Sequence, residues 1–304
     1  MKVGVNLINF GPGATAPNLS GWARLAEGLG FHMLMTSDHI ATTDDVQARY
    51  PAPFYEPLTT LGWLAAETEN ILLGTTVLIL PYRNPLETAR AFANLDQLSG
   101  GRMILGVGIG WAEQEFDALN VPFRRRGAMT NEYLAAIKTL WSNDPASFRG
   151  EFVTFENVRT TPAPVQSPHP PIWVGGQSEA ALTRTVTYAD GWHPIRVRES
   201  WLRDKGIARL RAAADAAAVP MPALCPRIRL RITESRGGED RLMGEGTIDQ
   251  IHHDLSVLEE LGCAYVLLDS YFDDVEATAD PHAAWRMYAE VAEKVLDLPN
   301  ETVR

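Results

Sequence analysis

Short apolar runs rich in β-branched residues alternate with amphipathic segments along the whole chain. The runs predict strands, and the segments, whose apolar residues recur every three to four positions, predict helices. The predicted strands are Val3–Ile8, Met33–Thr36, Ile71–Ile79, Met103–Val107, Ile172–Val174, Gly191–Ile195, Ile228–Ile232 and Tyr265–Asp269. The predicted helices are Asn18–Leu29, Pro57–Glu67, Pro85–Leu98, Asn131–Trp141, Ser178–Tyr188, Glu199–Ala217, Thr247–Leu261 and Pro281–Leu296.

Eight strands, each followed by a helix, predict an α/β protein that forms one (β/α)₈ TIM barrel over residues 1–304. A doubly wound sheet is the alternative, but the strand count and the lack of a glycine-rich loop after the first strand weigh against it. Loop insertions are expected at the C-terminal face of the barrel, where they would build the active site. They are His39–Glu56, Ala146–Ser167 (a predicted hairpin), Arg196–Arg198 and Glu234–Gly246.

Local signals at the helix ends agree with this assignment. Asn18 is predicted to cap the first helix, and Gly30 follows that helix where a left-handed residue is expected. Thr247 is predicted to cap the penultimate helix, and Gly262 to end it.

Composition and charge narrow the class of protein. Hydrophobic residues make up 45% and charged residues 21%, and the formal net charge is -11. Such acidity argues against nucleic-acid and anionic-membrane partners. Cys225 and Cys263 have no metal-ligand spacing and are predicted to be buried thiols of a cytosolic protein. The longest apolar stretch, Ile71–Leu80, is too short to span a bilayer, and the N-terminal run is too short for a signal peptide. We therefore expect a cytoplasmic protein.

A candidate phosphate site lies at the junction between a strand and a helix. The apolar run ending at Val174 is followed by Gly175, Gly176, Gln177 and Ser178, after which a helical pattern begins. Backbone N–H groups at a helix N-terminus bind phosphate well, and glycine allows close approach. A glycine-containing turn without any ligand remains the alternative.

Ser37-Asp38-His39 follows the second predicted strand, at the expected active face of the barrel. His39 is the candidate catalytic residue because an imidazole exchanges protons near neutral pH, and Asp38 could orient it. The alternative is a turn in which Asp38 caps backbone N–H groups.

Two further segments could contact a flat ligand. Gly108, Ile109 and Gly110 end a strand with alternating glycines, although a tight turn explains them nearly as well. Trp192 could pack on a ring system at the barrel mouth, or belong to the core. The neighbouring His193 is predicted to be structural.

Other polar and aromatic residues are weaker candidates for a functional site. Arg83 is a candidate for binding an anion or a solvated loop residue, while Glu113 and Glu115 suit the first turn of a helix without any catalytic role. Four aromatic residues suggest a mainly apolar substrate pocket: Tyr50, Phe54, Tyr55 and Tyr82. Metal-dependent and serine hydrolysis lack their motifs.

Together the segments resemble the luciferase-like monooxygenase superfamily, and within it the oxidoreductases that use the deazaflavin coenzyme F420. The resemblance covers most of the chain and depends on the order and spacing of six short pieces. They are Ser37–His39, Leu73–Leu78, Leu95–Arg102, Leu105–Gly110, Pro171–Gly176 and Asp190–Trp192.

The resemblance implies a (β/α)₈ barrel with the tricyclic ring of the cofactor across its mouth. Asp38 and His39 correspond to residues near the ring, with His39 on the substrate side. The Thr76–Val77 bond corresponds to a non-proline cis peptide that backs the ring, and the turn from Gly175 to Ser178 to the phosphate site. Family members often form homodimers through helices near strands 2 and 3, here Pro57–Glu67 and Pro85–Leu98.

Departures from the family pattern bear on the cofactor. No arginine stands near Ile109, where flavin-using relatives often bind the FMN phosphate, and this favours F420. Trp111 replaces an acid that donates the proton in some F420 enzymes, so a sugar-phosphate dehydrogenase is not expected. The first hypothesis is hydride transfer between F420 and a small organic substrate. The alternatives are an FMN-dependent monooxygenase, which would need a flavin reductase, a non-catalytic flavin or deazaflavin carrier, and a sugar-phosphate isomerase or aldolase.

Overall fold

The computed structural model describes residues 1–304 as an α/β protein. The strands are β1 Lys2–Leu7, β2 Met33–Thr36, β3 Leu72–Thr75, β4 Leu78–Ile79, β5 Met103–Gly108, β6 Ala146–Arg149, β7 Thr154–Val158, β8 Ile172–Gly175, β9 Gly191–His193, β10 Ala223–Leu224, β11 Arg227–Arg229, β12 Arg231–Ile232, β13 Glu245–Gly246, β14 Tyr265–Asp269, β15 Leu296–Asp297 and β16 Thr302–Val303. The helices are α1 Ala16–Gly28, α2 Asp44–Gln47, α3 Pro57–Glu67, α4 Pro85–Ser99, α5 Glu113–Ala118, α6 Arg126–Ser142, α7 Glu179–Tyr188, α8 Glu199–Trp201, α9 Ile207–Ala217, α10 Ile248–Glu260 and α11 His282–Lys294.

The main sheet is parallel and runs in the order β10-β9-β8-β5-β3-β2-β1-β14-β11. Its two ends meet, because β10 and β11 are successive halves of one strand interrupted at Pro226. β10 pairs with β9, whereas β11 pairs with β14, and a parallel bridge joins Ile195 to Arg227. The eight strand positions therefore close into a ring, and the predicted TIM-barrel class is confirmed.

Two strand predictions need correction. The predicted strand Ile71–Ile79 is divided into β3 and β4, because the chain turns at Thr76 and Val77. The predicted strand Ile228–Ile232 begins one residue earlier and divides into β11 and β12, while β10 was not predicted at all. A proline cannot donate a ladder hydrogen bond, which explains why the short apolar run around Pro226 gave no clear strand signal.

Most helices agree with the predictions within a few residues, but α6 begins five residues earlier than expected. The predicted helix Glu199–Ala217 is divided into α8 and α9 by the π-helical residues Leu202–Gly206, and the short helices α2 and α5 were not predicted. Thr15, rather than Asn18, caps α1, and its side chain accepts a hydrogen bond from the Asn18 N–H. Gly30 has the expected positive φ of 88°. The predicted hairpin is formed by β6 and β7, which pair antiparallel. No helix is both long and apolar enough to cross a membrane.

The interior of the barrel changes from apolar to polar toward the carboxyl ends of the strands. A small apolar cluster fills its lower part: Met33, Met35, Ile104, Trp173, Cys225 and Leu267. Side chains two positions apart on a strand point the same way, so Arg227 and Asp269 lie above Cys225 and Leu267. A much larger apolar cluster packs the outer face of the strands against the helices. This arrangement places the polar groups of the barrel interior, among them Arg227 and Asp269, toward the opening of the barrel.

The insertion after β2 covers that opening. It contains α2 and is held by an aromatic cluster around Phe10, whose ring centroid lies 5.1 Å from Tyr50, 5.3 Å from Phe54 and 4.9 Å from Tyr271. The Tyr271 hydroxyl also donates a hydrogen bond to the carbonyl of Arg49. The insertion is thus a packed wall of the barrel mouth.

Candidate active site

A cavity of about 290 Å³ opens at the carboxyl ends of the barrel strands; we call it the mouth cavity. Its walls come from segments far apart in the sequence, which the barrel brings together. The lining residues are Ser37, Asp38, His39, Tyr50, Thr76, Val77, Ile79, Gly108, Ile109, Gly110, Trp111, Gly175, Gly176, His193, Ile195 and Arg227. Nine predicted site residues therefore share one cavity: Asp38, His39, Thr76, Val77, Gly108, Ile109, Gly110, Gly175 and Gly176.

One wall of the mouth cavity consists of a single valine side chain between glycines. The Thr76–Val77 peptide bond is cis, as the resemblance implied. A Cβ atom on Gly108 would lie 2.5 Å from a methyl carbon of Val77, and one on Gly175 would lie 3.4 Å from the other methyl carbon. Side chains at these two positions would crowd this wall, so glycine keeps it low and open to a flat ligand.

His39 is buried at the cavity and paired with Glu115. Its Nδ1 lies 2.6 Å from Oε2 of Glu115 and, facing a carboxylate, donates that hydrogen bond. The Glu115 side chain is fully buried and also accepts hydrogen bonds from the N–H groups of Ile40 and Ala41 at 2.6 and 3.0 Å. His39 Nε2 has no partner within the protein, so it is free to exchange a proton with a ligand.

Glu115 is held as an anion by these contacts. Its burial would raise the pKa of the carboxyl group, but the hydrogen bond and charge of His39 and the bond from the Tyr82 hydroxyl at 2.9 Å bring it below the ordinary value. Burial and the adjacent Glu115 charge raise the pKa of Tyr82, which keeps its hydroxyl protonated and donating. The helix-dipole interpretation of Glu115 was therefore incomplete.

Asp38 does not orient His39, contrary to one of the two interpretations of this pair. Its carboxylate accepts two hydrogen bonds from Arg83, at 2.6 and 2.8 Å, and one from the Ile79 N–H at 2.8 Å. Arg83 also contacts Glu56 at 3.0 Å, so it is neither solvated nor available to an external anion. The Asp38–Arg83 pair instead fastens the chain segment after β4 to the end of β2.

A chain of hydrogen bonds lies under the mouth cavity. His193 Nε2 is 2.9 Å from the Thr76 hydroxyl, and His193 Nδ1 is 2.5 Å from the carbonyl oxygen of Cys225. Because a carbonyl only accepts, Nδ1 carries the proton and Nε2 accepts from Thr76. Burial lowers the pKa of His193 to about 4, with Arg227 adding to the effect, so the ring is neutral at pH 7.

Arg227 completes this chain. It donates to the Thr76 carbonyl at 2.6 Å and to the Thr76 hydroxyl at 3.1 Å, while Asp269 accepts from its Nε and Nη2 at 3.0 and 2.7 Å. Asn6 donates to the second oxygen of Asp269 at 2.8 Å. These contacts hold the Thr76 peptide in place at the cavity wall. Sequence reasoning missed Arg227 and gave His193 no site role, because nothing local links either residue to Thr76.

The predicted glycine turn at the start of α7 is present, and its role in binding phosphate stays a prediction. Gly176 has φ of 110°, a conformation that L side chains rarely adopt. Ser178 caps α7, its side chain accepting from the Ala181 N–H at 3.2 Å. The Gln177 amide donates to the Ile195 carbonyl at 2.6 Å. Gly176 reaches the mouth cavity, whereas Gln177 and Ser178 lie beyond its edge.

Trp192 does not line the mouth cavity, which corrects its predicted contact with the cofactor. Its ring is 1% exposed and belongs to the apolar layer between strands and helices, where it packs against Trp201. Side chains alternate along a strand, so His193 faces the barrel interior and Trp192 the opposite side. The indole donates to the Gly176 carbonyl at 2.8 Å, which supports the glycine turn from behind.

The predicted aromatic lining of the pocket and the missing arginine near Ile109 both look different in the folded structure. Of the four aromatic residues predicted to line a pocket, only Tyr50 does so. No arginine stands next to Ile109 in the sequence, but Arg126 of α6 lies close to it in space. Its Nε donates a hydrogen bond to the Gly110 carbonyl at 3.2 Å. Arg126 also donates to the Phe123 carbonyl at 2.9 Å and lies over the Phe123 ring.

A (β/α)₈ barrel whose buried histidine, glycine-lined wall and helix N-terminus lie at one cavity has the architecture of barrel enzymes, whose active sites lie at the carboxyl ends of the strands. Comparison with known sequences defines this class further. The sequence model of the luciferase-like monooxygenase family matches residues 1–236. The chain belongs to the luciferase-like monooxygenase family.

Characterised and uncharacterised sequences resemble this chain over a little more than half of its length. A protein of Mycobacterium tuberculosis with no assigned function is 36% identical over 183 residues, which are 56% of this chain and 64% of that protein. The FMNH₂-dependent dimethylsulfone monooxygenase of Pseudomonas putida is 32% identical over 179 residues, 56% of this chain and 46% of that enzyme. The chain thus matches less than two thirds of the length of these relatives.

Solved structures share the fold over nearly the whole chain. The monooxygenase RslO1 from Streptomyces bottropensis superimposes with a TM-score of 0.77 at 22% identity, covering 95% of this chain and 98% of that one. An F420-dependent secondary alcohol dehydrogenase, in complex with an F420-acetone adduct, gives a TM-score of 0.75 at 18% identity, covering 96% and 98%. At these identities the likeness establishes the fold alone, and the proteins similar to this chain include both an F420-dependent and an FMNH₂-dependent enzyme.

Proposed function

We propose that this protein is an F420-dependent oxidoreductase that transfers a hydride between the deazaflavin and a small organic substrate at the mouth cavity. The observation that carries the proposal is the meeting of three features in one cavity. They are the low wall around Val77, the capped turn at Gly176 and the His39–Glu115 pair.

The residues of the mouth cavity fit a flat tricyclic ring with a phosphate tail. Gly108 and Gly175 keep the wall beside Val77 free of further side chains. The free N–H groups at the start of α7, with Gln177 and Ser178, suit the phosphate. When bound, the deazaflavin supplies or accepts the hydride, and the protein positions it.

The chain's own residues would manage the proton that accompanies hydride transfer. His39 exchanges it through Nε2, and Glu115 fixes the orientation of the ring by accepting the hydrogen bond from Nδ1. Trp111 stands at the edge of His39, with ring centroids 5.8 Å apart, and is 39% exposed. It narrows the access of water to the imidazole without itself carrying a proton.

A second candidate is an FMN-dependent monooxygenase that uses reduced flavin and O₂ and depends on a flavin reductase. Arg126 favours it, because a guanidinium beside Gly110 could turn toward a flavin phosphate. The 32% identity to an FMNH₂-dependent enzyme supports it as well.

Titration of cofactor-free protein with F420 and with FMN, followed by fluorescence, separates the two candidates. We expect F420 to bind in the micromolar range or tighter and FMN at least tenfold more weakly. The opposite order would reject the F420 proposal and direct the work to oxygen uptake with FMNH₂. Binding of neither would reject both.

A further inference from the structure

A second cavity of about 200 Å³ adjoins the mouth cavity, and we call it the arginine cavity. The two cavities share Tyr50, Trp111, Ile195 and Arg227 as common walls. The remaining wall residues of the arginine cavity include three more arginines, which are Arg49, Arg196 and Arg229. Four guanidinium groups around one small cavity are unexpected in a chain whose formal net charge is -11.

The charges of these four arginines are neutralised unequally. Arg227 is paired with Asp269 at 2.7 Å. Arg229 contacts Glu245 at 3.0 Å and Asp273 at 3.2 Å. These two guanidinium groups therefore have nearby carboxylates that balance their charge.

Arg196 and Arg49 retain free donors. Arg196 uses only Nη2 in its contact with Asp273, at 2.7 and 2.8 Å, which leaves its Nε and Nη1 without partners. Arg49 forms no ion pair with a carboxylate, and its guanidinium lies over the Trp111 ring, 4.7 Å from the ring centre. A guanidinium on an aromatic face keeps all its N–H groups in the plane of the group and open to a bidentate acceptor.

Arg49 is also positioned close to the chemistry. Trp111, on which it stacks, contacts the His39 ring edge to face. The backbone carbonyl of Arg49 accepts a hydrogen bond from the Tyr271 hydroxyl, and this bond ties the insertion to the segment that follows β14. An acid group held by Arg49 would therefore sit one aromatic ring away from His39.

We propose that the arginine cavity is the substrate subsite and binds the carboxylate of a small organic acid, with Arg49 as its main partner and Arg196 as the second. This inference rests on the proposed function, because it assigns the mouth cavity to the cofactor and the reacting carbon. Arg–carboxylate pairs are frequently bidentate, which would orient the substrate as well as hold it. The substrate class is thus an organic carboxylate rather than a neutral compound.

Calorimetric titration with benzoate and benzamide, which differ in charge but hardly in shape, tests the inference. We expect benzoate to bind the wild-type protein at least tenfold more tightly than benzamide. Arg49→Met should weaken the binding of benzoate by at least tenfold and leave the affinity for benzamide unchanged. Arg211→Met, an exposed arginine on α9, is the matched control and should change neither.

Arg49→Lys keeps the charge but not the bidentate geometry, so its affinity for benzoate should lie between those of wild type and Arg49→Met. It also keeps the test decisive if the methionine variant does not fold. Equal affinity for benzoate and benzamide, no binding of benzoate, or unchanged binding in both Arg49 variants would each overturn the inference.

The titrations are done without cofactor and again with F420 present, so that the two proposals fail separately. Benzoate binding that depends on Arg49, with no binding of F420, would leave the subsite in place and reject the F420 function. Tight F420 binding with no preference for benzoate over benzamide would leave the F420 function in place and reject the carboxylate subsite.

Discussion

Glu115 shows how a residue's role can depend on partners far away in the chain. Its carboxylate lies in the first turn of α5, where sequence reasoning sees only a favourable helix dipole. Its partner His39 is 76 residues away, and no local pattern connects the two. Burial then turns an ordinary glutamate into a positioning residue for the candidate catalytic histidine.

Glu115→Gln should destabilise the protein and slow catalysis. At pH 7 we expect the free energy of unfolding in urea to fall by about 3 kcal/mol, because four hydrogen bonds to a buried charge are weakened. The folded pKa of Glu115 lies below its ordinary value, so this contribution exists above about pH 4.5 and disappears as the pH falls through the folded value. F420-linked turnover should fall about 100-fold.

Glu113→Gln is the matched control, since Glu113 lies in the same turn but is exposed. It should lower the free energy of unfolding by about 0.5 kcal/mol at most, because it loses only a helix-dipole contact, and leave turnover unchanged. Wild-type stability and turnover in Glu115→Gln would show that the carboxylate has no positioning role.

The buried His193 should make the free energy of unfolding decrease in mild acid. Its pKa is about 4 in the folded protein and 6.5 when unperturbed, because burial disfavours the cation. Between these values the unfolded chain binds a proton that the folded protein does not, so stability falls as the pH decreases from about 6.5 toward 4. The expected loss between pH 7 and pH 4.5 is about 2–3 kcal/mol.

Urea unfolding of wild type, His193→Gln and the exposed-site control His253→Gln at both pH values measures this contribution. The loss between pH 7 and pH 4.5 should be smaller in His193→Gln only. An identical loss in all three proteins would mean that His193 is not the group responsible.

Among the helices, α7 has an end that serves both the fold and the site. Its cap Ser178, the positive φ of Gly176 and the hydrogen bond from Trp192 all shape one turn. The residue types of the turn could be predicted from sequence, because glycine and serine have distinct roles at such junctions. The support from Trp192 could not, because its side-chain direction depends on the register of β9.

Ser178→Ala separates the two roles of this turn. Loss of the cap should lower the free energy of unfolding by about 1 kcal/mol. If the cofactor phosphate binds here, the dissociation constant for F420, measured by fluorescence, should also rise at least fivefold. Thr15→Ala removes the equivalent cap of α1, far from any predicted phosphate site, and should affect stability alone. Equal F420 affinity in both variants would place the phosphate elsewhere.

The expected homodimer stays a prediction at the scale of the whole molecule, and two exposed apolar side chains on α3 and α4 support it. On α4, Leu98 is 79% exposed, and on neighbouring α3, Trp63 is 37% exposed. Large apolar side chains concentrated on adjacent helices are typical of contact surfaces between subunits. We propose that two copies of the chain associate through these helices.

Leu98→Glu should convert a dimer into a monomer, because it would place a charge inside the contact surface. Sedimentation velocity at micromolar concentration measures the change. Val219→Glu, at an exposed apolar residue after α9, should leave the dimer intact. A wild-type monomer, or a dimer in Leu98→Glu, would contradict the proposal.

The sequence by itself determined most of the order of strands and helices, and with it the barrel class, because hydrophobic periodicity and turn residues act locally. It also placed His39, Val77 and Gly176 at one end of the strands, since parallel strands align their carboxyl ends. Only the tertiary structure decided which groups meet there. Glu115, Arg227 and Arg49 reach the cavities through burial, strand register and the path of an insertion, which depend on contacts between segments distant in the chain.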